Sequence, residues 1–503
     1  MKNFLLRLLV ALSLLQFSCK RNQDTPPSSG GNNQSDFATA SVINQRLGRG
    51  INLGNTFEDQ WKDPSYNPAD FSRMADCGFS HVRIPIRWEA AGRAQYSSPY
   101  TISPSFLASV KSAVDLALKN KMHVIINMHN HDSLYAKPDA LKPMFLAEWK
   151  QIAEYFKDYP DSLLFEVLNE PHGQLDPDTW NVFFADALHT IRESNPKRIV
   201  LVGTADWGGV SALNKLVLPA DDRLILTVHY YNPFMFTHQG AEWVSGSDAW
   251  LGTHWYDTEF DRQDISEDFS LVIPFARDHN IPVHMGEFGA YSKGDMDSRV
   301  RWTRYLARWF EQQKFSWAYW EFNSGFGIYD PVSGQYRTAL RDALTHDAMT
   351  PPTPVTLTGL YSSNFANPQN DGWNLYNNDP SASSSLGVAN NRATVTISKE
   401  GTESWYIQLI KGGTSLVAGK TYRIVFRAYS TGSRSLSATM MLATAPWTVY
   451  GNKDFTISAA DTEYSFVFTA ANSDANANFL FSMGKGGLLP VTLYDIRLQE
   501  LTF

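Results

Sequence analysis

Between about residues 40 and 350, short apolar runs alternate with longer amphipathic stretches. A brief apolar run bounded by turn formers reads as a strand covered on both faces. Apolar residues recurring every third or fourth position read as a helix packed over such strands. The predicted strands are 50–54, 81–86, 122–128, 163–168, 198–203, 224–229, 282–286 and 316–320. Helices are predicted at 68–77, closed by Gly78, from Ser103-Pro104 through Phe106, Val110, Val114 and Leu118, and at 144–159, 179–194, 265–279 and 298–313. In the last of these Trp302, Leu306, Trp309 and Phe310 share one face, with Arg301, Arg304 and Arg308 outside. The strands number eight, enough to close a parallel barrel, so the fold class is α/β, a (β/α)8 TIM barrel over residues 39–349. Tyr230 to about Phe260 is aromatic and without period, and a loop of that length usually binds something.

The period changes after Thr350-Pro-Pro-Thr-Pro354, a stiff linker assigned to 350–356. Beyond it Tyr422, Ile424 and Phe426 alternate with Arg423, Val425 and Arg427; Tyr464, Phe466 and Phe468 repeat the spacing, as do Leu493, Asp495 and Arg497 against Tyr494, Ile496 and Leu498. Alternation between turn residues predicts an all-β sandwich over 357–503.

The amino end differs from both. Lys2 and Arg7 precede an apolar stretch to Phe17, too short to span a bilayer stably, followed by Ser18-Cys19. Residues 1–19 resemble a bacterial lipoprotein signal with Cys19 as the acylated residue, a plain secretory peptide being the alternative. Residues 20–38, rich in Pro, Ser, Gly and Asn, read as a flexible tether. An exported chain anchored to the bacterial outer membrane through lipid is the expected localisation, and a monomer the expected state. With Cys19 modified only Cys77 remains, so no disulfide framework exists, and Cys77 reads as a core thiol.

Hydrophobic residues at 43% and charged residues at 19% fit a globular protein. A net charge of −8 without a basic stripe counts against nucleic acid as a partner. The 15 Trp fit either core filling or the stacking surfaces that sugars use.

Barrel enzymes keep their chemistry at the carboxyl ends of the strands. Collected at that rim are Asn55, Arg83, His129, Asn169, Glu170, His229, Tyr231, Glu287 and Trp320. Capped strand ends explain one or two such residues, but not two carboxylates, an arginine and two histidines on one rim. Two facing carboxylates permit glycosidic cleavage, one giving a proton to the leaving oxygen, the other ionised. Arg83 near Glu287 would favour its charged form, and Tyr231 could bond the same carboxylate. Asn169 could bond the sugar 2-hydroxyl and Trp320 offers a flat face to a pyranose. A separation of about 5 Å between the carboxyls implies retention, and roughly 6.5–9.5 Å inversion. None of this needs a metal or cofactor, and His129 with His131 does not fill a zinc site.

Asn169-Glu170-Pro171, Gly286-Glu287-Phe288-Gly289, His229-Tyr230-Tyr231, Val82-Arg83-Ile84-Pro85 and Tyr319-Trp320 together resemble glycoside hydrolase family 5, the cellulase family. That resemblance implies Glu170 as acid/base, Glu287 as nucleophile, retention through a glycosyl-enzyme, and Arg83, His129, Asn169, His229, Tyr231 and Trp320 as the shell of the cleavage subsite. Gly50-Ile-Asn-Leu-Gly-Asn55 and Asn232 to Trp243 are similar to its thermophilic endoglucanase/mannanase branch, which implies Asn55, Glu58, His238 and Trp243 as further sugar contacts. That branch often carries His-His after strand three; here the sequence is His129-Asn130-His131. Residues 355–503 resemble carbohydrate-binding module families 4 and 9, through Asp371-Gly-Trp373, Trp405-Tyr-Ile-Gln-Leu409, 419–428 and 491–498. This implies Trp373, Trp405, Tyr406, Gln408 and Trp447 as candidate glycan contacts and a structural calcium ion to which Asp495 could contribute. The implied activity is endo-β-1,4-glucanase on β-glucan. The alternatives are a mannanase, xyloglucanase or mixed-linkage glucanase of the same mechanism, or a glycan-binding lipoprotein without catalysis.

Overall fold

The computed structural model describes residues 37–60, 64–366 and 371–503. The signal peptide, Cys19 and most of the tether lie outside the described residues. Strands β1 (Arg49–Asn52), β2 (His81–Ile84), β3 (His123–Asn127), β4 (Leu163–Glu166), β5 (Val200–Gly203), β6 (Leu224–His229), β7 (Val283–Glu287) and β8 (Ser316–Tyr319) form a closed barrel in sequence order. Both β1–β2 and β1–β8 pair in parallel, so β1 lies between the first and last neighbours. The helices are α1 (Ala40–Leu47), α2 (Ala69–Asp76), α3 (Pro104–Lys119), α4 (Asp132–Ala136), α5 (Pro138–Tyr155), α6 (Pro177–Arg192), α7 (Phe234–Thr237), α8 (Glu259–Asp268), α9 (Val272–Asp278), α10 (Met296–Gln312) and α11 (Thr338–Thr345). A small hairpin, β9 (Tyr329–Asp330) and β10 (Gln335–Tyr336), precedes α11.

Because side chains alternate along a strand, the barrel lumen is built in layers two residues apart. Its floor is apolar: Ile125, Leu164, Leu201 and Ile225 pack on Ile43 and Leu47 of α1, which plugs that end. The Asn44 amide of α1 donates to Val283 O, and its carbonyl accepts from Ser316. One layer up the lumen turns polar, with Asn52, Arg83, Asn127, Glu166 and Thr227, all buried. Above these lie the rim residues.

Some elements differ from expectation. The helix predicted at 265–279 is two helices. Pro274 lacks the N–H that would bond a turn back, and it falls in the first turn of a new helix that begins at Val272, where that N–H is not needed. The earlier helix starts at a capping box, Thr258 with Asp261. The helix predicted at 144–159 begins at Pro138. The long aromatic loop contains α7 and a 3-10 turn over Ser247–Trp250. Arg308 does not face solvent; it is buried and donates to the carbonyls of Leu344 and Asp347.

The carboxyl-terminal part is two antiparallel sheets. Strands β11 (Thr356–Ser363), β13 (Ser383–Ala389), β14 (Arg392–Lys399), β16 (Thr421–Ser430), β19 (Thr462–Thr469) and β21 (Val491–Thr502) form one; β12 (Trp373–Asn377), β15 (Ile407–Leu416), β20 (Asp474–Ser482), β17 (Arg434–Met441) and β18 (Val449–Ile457) form the other. Tyr422, Ile424, Phe426, Phe466 and Phe468 are in the core between them. In β21 the alternation breaks: Leu493, Ile496 and Leu498 are all buried. The cause is Asp495, at φ 47, where the pairing with β16 shifts register and inserts one residue. Asp495 lies 3.4 Å from the Arg497 guanidinium. The proline linker is pinned to the barrel: Thr353 donates to Asp257 O (2.7 Å) and Tyr256 O (2.6 Å), and Arg262 to Thr350 O (2.7 Å). Among the described residues no helix is long and apolar enough to cross a membrane.

Candidate active site

Arg83 organises the mouth. It lies in the lumen on β2, one layer below the rim, and every donor on its fork is used. Nε and Nη2 hold Glu166 of β4 at 2.6 and 2.7 Å; Nη1 reaches Asn52 Oδ1 and Glu287 Oε1, both at 2.8 Å; Nη2 also reaches Asn169 Oδ1 at 2.8 Å. A fully buried guanidinium is stable only with such partners. Burial alone would lower its pKa, but Glu166 and Glu287 raise it above the ordinary arginine value. Glu166 is absent from the residues expected from sequence, although it is the bidentate partner. Its signal was an acid at an inward position of an apolar strand.

Glu287 ends β7. Its Oε1 accepts from Arg83 and its Oε2 from Tyr231 Oη at 2.8 Å. Burial, joined by the nearby Glu170 carboxylate, outweighs the pull of His229, Arg83 and the Tyr231 bond and leaves the Glu287 carboxyl above the ordinary glutamate value. A donor on each oxygen is the bonding pattern of an ionised carboxylate. Glu170 follows β4 at φ 45, a left-handed conformation that turns its side chain off the strand line just before Pro171. Its Oε1 lies 2.7 Å from His229 Nδ1, and the same nitrogen is 3.7 Å from Glu287 Oε2. Burial pulls His229 down, but Glu287 and Glu170 outweigh it and raise its pKa above the ordinary histidine value. Ligand atoms of Glu170, His229 and Glu287 all lie within 4.8 Å of one another. A divalent ion could sit there, but Arg83 is already bonded to Glu287 and would repel it.

The remaining expected residues surround this centre. His129 is neutral, its pKa held well below the usual value by burial, and stacks on Trp320 at 5.5 Å and 3°. The Glu58 carboxylate accepts from the backbone N–H of Asn55 and Thr56. His238, stacked on Phe234 at 4.0 Å, meets the Tyr231 ring edge-on at 5.0 Å. Trp243 is 60% exposed and leans on Tyr291 and Phe326 at the rim. Two residues not expected join them. Glu321, next to Trp320, is fully buried with Oε2 unpartnered; burial pushes it to about 7, as it does Glu58. Trp207, in the turn after β5, is 61% exposed and stacked at 3.5 Å on His172, whose ring also meets Tyr135. Gly208 follows it at φ +68.

In the sandwich, Trp405 and Trp447 are about half exposed, at 50% and 55%. Gln408 bonds Asn378 and Ser482, and Tyr406 packs half-buried beside the core. Trp373 is a correction: it is a core residue packed against Phe479 and Phe481, with its indole N–H on Tyr361, and presents no face to a glycan.

The fold and the paired carboxylates define a (β/α)8 barrel with glycosidase-type chemistry at its carboxyl-end mouth. Residues 44–325 match the model of cellulase (glycosyl hydrolase family 5), and the chain belongs to that family. Residues 358–490 match a carbohydrate binding domain. Among known proteins, endoglucanase H of Acetivibrio thermocellus is 33% identical over 327 residues, covering 64% of this chain and 34% of that protein. The chain thus spans about a third of that relative's length. The crystal structure of endoglucanase Cel5A from the hyperthermophilic Thermotoga maritima is 44% identical, covering 61% of this chain and 100% of its own, at a TM-score of 0.59. A structure of T. maritima Cel5A in complex with mannotriose is 43% identical, covering 61% and 99%, at the same TM-score.

Proposed function

We propose that the chain is a retaining endo-β-1,4-glucanase. The observation that carries this reading is the placement of Glu170 and Glu287 face to face at the barrel mouth with an oxygen of each within 4.8 Å, in keeping with the closely set carboxyl pair of a retaining enzyme. Glu287, held by Arg83 and Tyr231, attacks the anomeric carbon. Glu170 gives its proton to the glycosidic oxygen as that bond breaks, leaving a glycosyl-enzyme. Glu170, now ionised, takes a proton from water, which attacks the same carbon and frees Glu287. Asn169, whose oxygen is bonded to Arg83, keeps its NH2 for the sugar 2-hydroxyl. Trp320 and His129 floor the glycone side, and Trp207 stands beside Glu170 for the leaving chain. The test is the anomer first released, followed by NMR on a panel of purified β-glucans and mannans: β first supports retention, α first overturns it. Mannan is the second reading, favoured by the mannotriose complex of the T. maritima relative; faster release from mannan than from glucan would select it.

The sandwich supports glycan binding through Trp405 and Trp447, with Gln408 between polar neighbours. For the amino end we propose export and acylation at Cys19. Cys19→Ala should move the protein from membrane to soluble fractions, and continued membrane attachment would count against the anchor.

A further inference from the structure

We infer that the sandwich is a brace for the active site as well as a glycan binder, acting through α8. Two sets of contacts meet on that helix. On its outer side, Lys453 of β18 reaches Asp264 at 2.6 Å and Glu267 at 3.0 Å, and both acids belong to α8. Arg423 of β16 lies over the ring of Phe260 at 4.2 Å. Phe503, the last residue, stacks on Tyr256 at 3.8 Å. The docking is charge-matched: α8 carries Glu259, Asp261, Asp264, Glu267 and Asp268, and the sandwich presents Lys453 and Arg423.

At the inner end, Asp268 closes α8 and accepts from Tyr230 Oη at 2.9 Å and Asn232 Nδ2 at 3.0 Å. Those residues flank Tyr231, whose hydroxyl holds Glu287. The start of α8 is tied to the substrate loop as well. Gln239, next to His238, bonds Thr253 O at 2.8 Å and the Gly252 N–H at 2.9 Å, just ahead of Tyr256. A helix held on its outer face therefore fixes both neighbours of Tyr231 and the base of the loop carrying His238 and Trp243. Exposed ion pairs are worth little, but Lys453 is largely enclosed and serves two acids at once. Lys453 is thus a positioning residue for a donor to Glu287. The kinetic part of this inference rests on the hydrolase reading; the structural part does not.

The experiment uses the full chain with Lys453→Glu, and Lys453→Glu combined with Glu267→Lys to restore the pairing. Small-angle scattering reads docking, and hydrogen exchange reads the amides of 230–243; neither needs a substrate. Turnover of a soluble cello-oligosaccharide reads the consequence. The expected result for Lys453→Glu is an extended particle, faster exchange at 230–243 and a kcat/KM lower by about tenfold, with both structural readouts and turnover largely restored by the swap. Unchanged scattering would overturn the role of Lys453 in docking. Released docking with unchanged exchange at 230–243 would overturn the coupling, as would a loss the swap does not restore. A wild-type chain that docks and protects 230–243 yet cleaves no glycan would overturn the hydrolase reading and leave the brace standing.

Discussion

Two carboxylates with unlike surroundings define the residue-scale chemistry. Glu287 has a donor on each oxygen, and Glu170 has one imidazole. Glu287→Ala should lower turnover by about 10⁴-fold or more while leaving polysaccharide binding measurable by pull-down; surviving hydrolysis would remove Glu287 as nucleophile. Glu170→Ala should cost about 10²–10⁴-fold on natural glucan but far less on an aryl glycoside whose leaving group needs no proton. Equal losses on both substrates would remove its role as acid. A third prediction concerns stability. Glu321 is fully buried and pushed from 4.5 to about 7. The folded chain therefore keeps a proton that the unfolded chain has released between pH 4.5 and about 7. Folding is favoured more at the acid end of that window and loses about 3 kcal/mol from this group as pH rises through it. Glu321→Gln should flatten that dependence, read as a smaller drop in Tm between pH 5 and pH 8 than in the natural chain. Both expected carboxylates were legible in sequence because each stands beside a strand end where an apolar residue would otherwise continue. Glu166 and Glu321 were not. A single inward acid in a strand looks like any polar interruption until the arginine opposite it is placed, and nothing local marks Glu321 as enclosed.

At the scale of elements, the turn after β5 leaves little room beside the catalytic pair. Gly208 sits at φ +68, and a Cβ there would lie 3.3 Å from Glu170 Cγ and 3.4 Å from the His229 ring. Gly208→Ala should destabilise the chain by about 1–2 kcal/mol through the left-handed backbone alone. It should also lower kcat by displacing Glu170 against His229, while an unchanged kcat with the stability cost present would separate the backbone effect from the catalytic one. The same scale shows what pattern alone resolves. Strands buried on both faces are apolar runs with defined ends, so all eight barrel strands were legible. Helix boundaries were less so. The break between α8 and α9 depends on where Pro274 falls relative to a first turn, and the capping box at Thr258 competes with the apolar period for where α8 begins. In β21 strict alternation failed at Asp495 because a bulge is set by its partner strand, and no local pattern encodes that partner.

For the whole molecule, the proposed roles fall on two surfaces of the sandwich, and substitutions should separate them. Trp405 and Trp447 are exposed in the turns ahead of β15 and β18, while Lys453 within β18 faces α8. If the exposed indoles hold a glucan chain, they concentrate the barrel on an insoluble surface and add nothing once the substrate diffuses freely. Trp405→Ala with Trp447→Ala should then lower adsorption to insoluble glucan and turnover of it, with soluble oligosaccharide cleaved at close to the natural rate. Lys453→Glu should do the reverse: adsorption retained, because the sandwich itself is intact, and soluble turnover reduced, because α8 no longer steadies Tyr231. The linker decides between this arrangement and two independent domains on a spacer. A free proline linker would let the tryptophans act without the brace, but Thr350 and Thr353 are bonded to Arg262, Tyr256 and Asp257 at the start of α8. Those bonds keep the point of attachment beside the helix the sandwich grips, which cuts the entropy lost on docking. Lengthening the linker by a flexible insert after Pro354 should therefore weaken docking and lower soluble turnover in the same direction as Lys453→Glu, though less. If the insert leaves scattering and soluble kinetics unchanged, the contacts on α8 hold the sandwich without help from the linker.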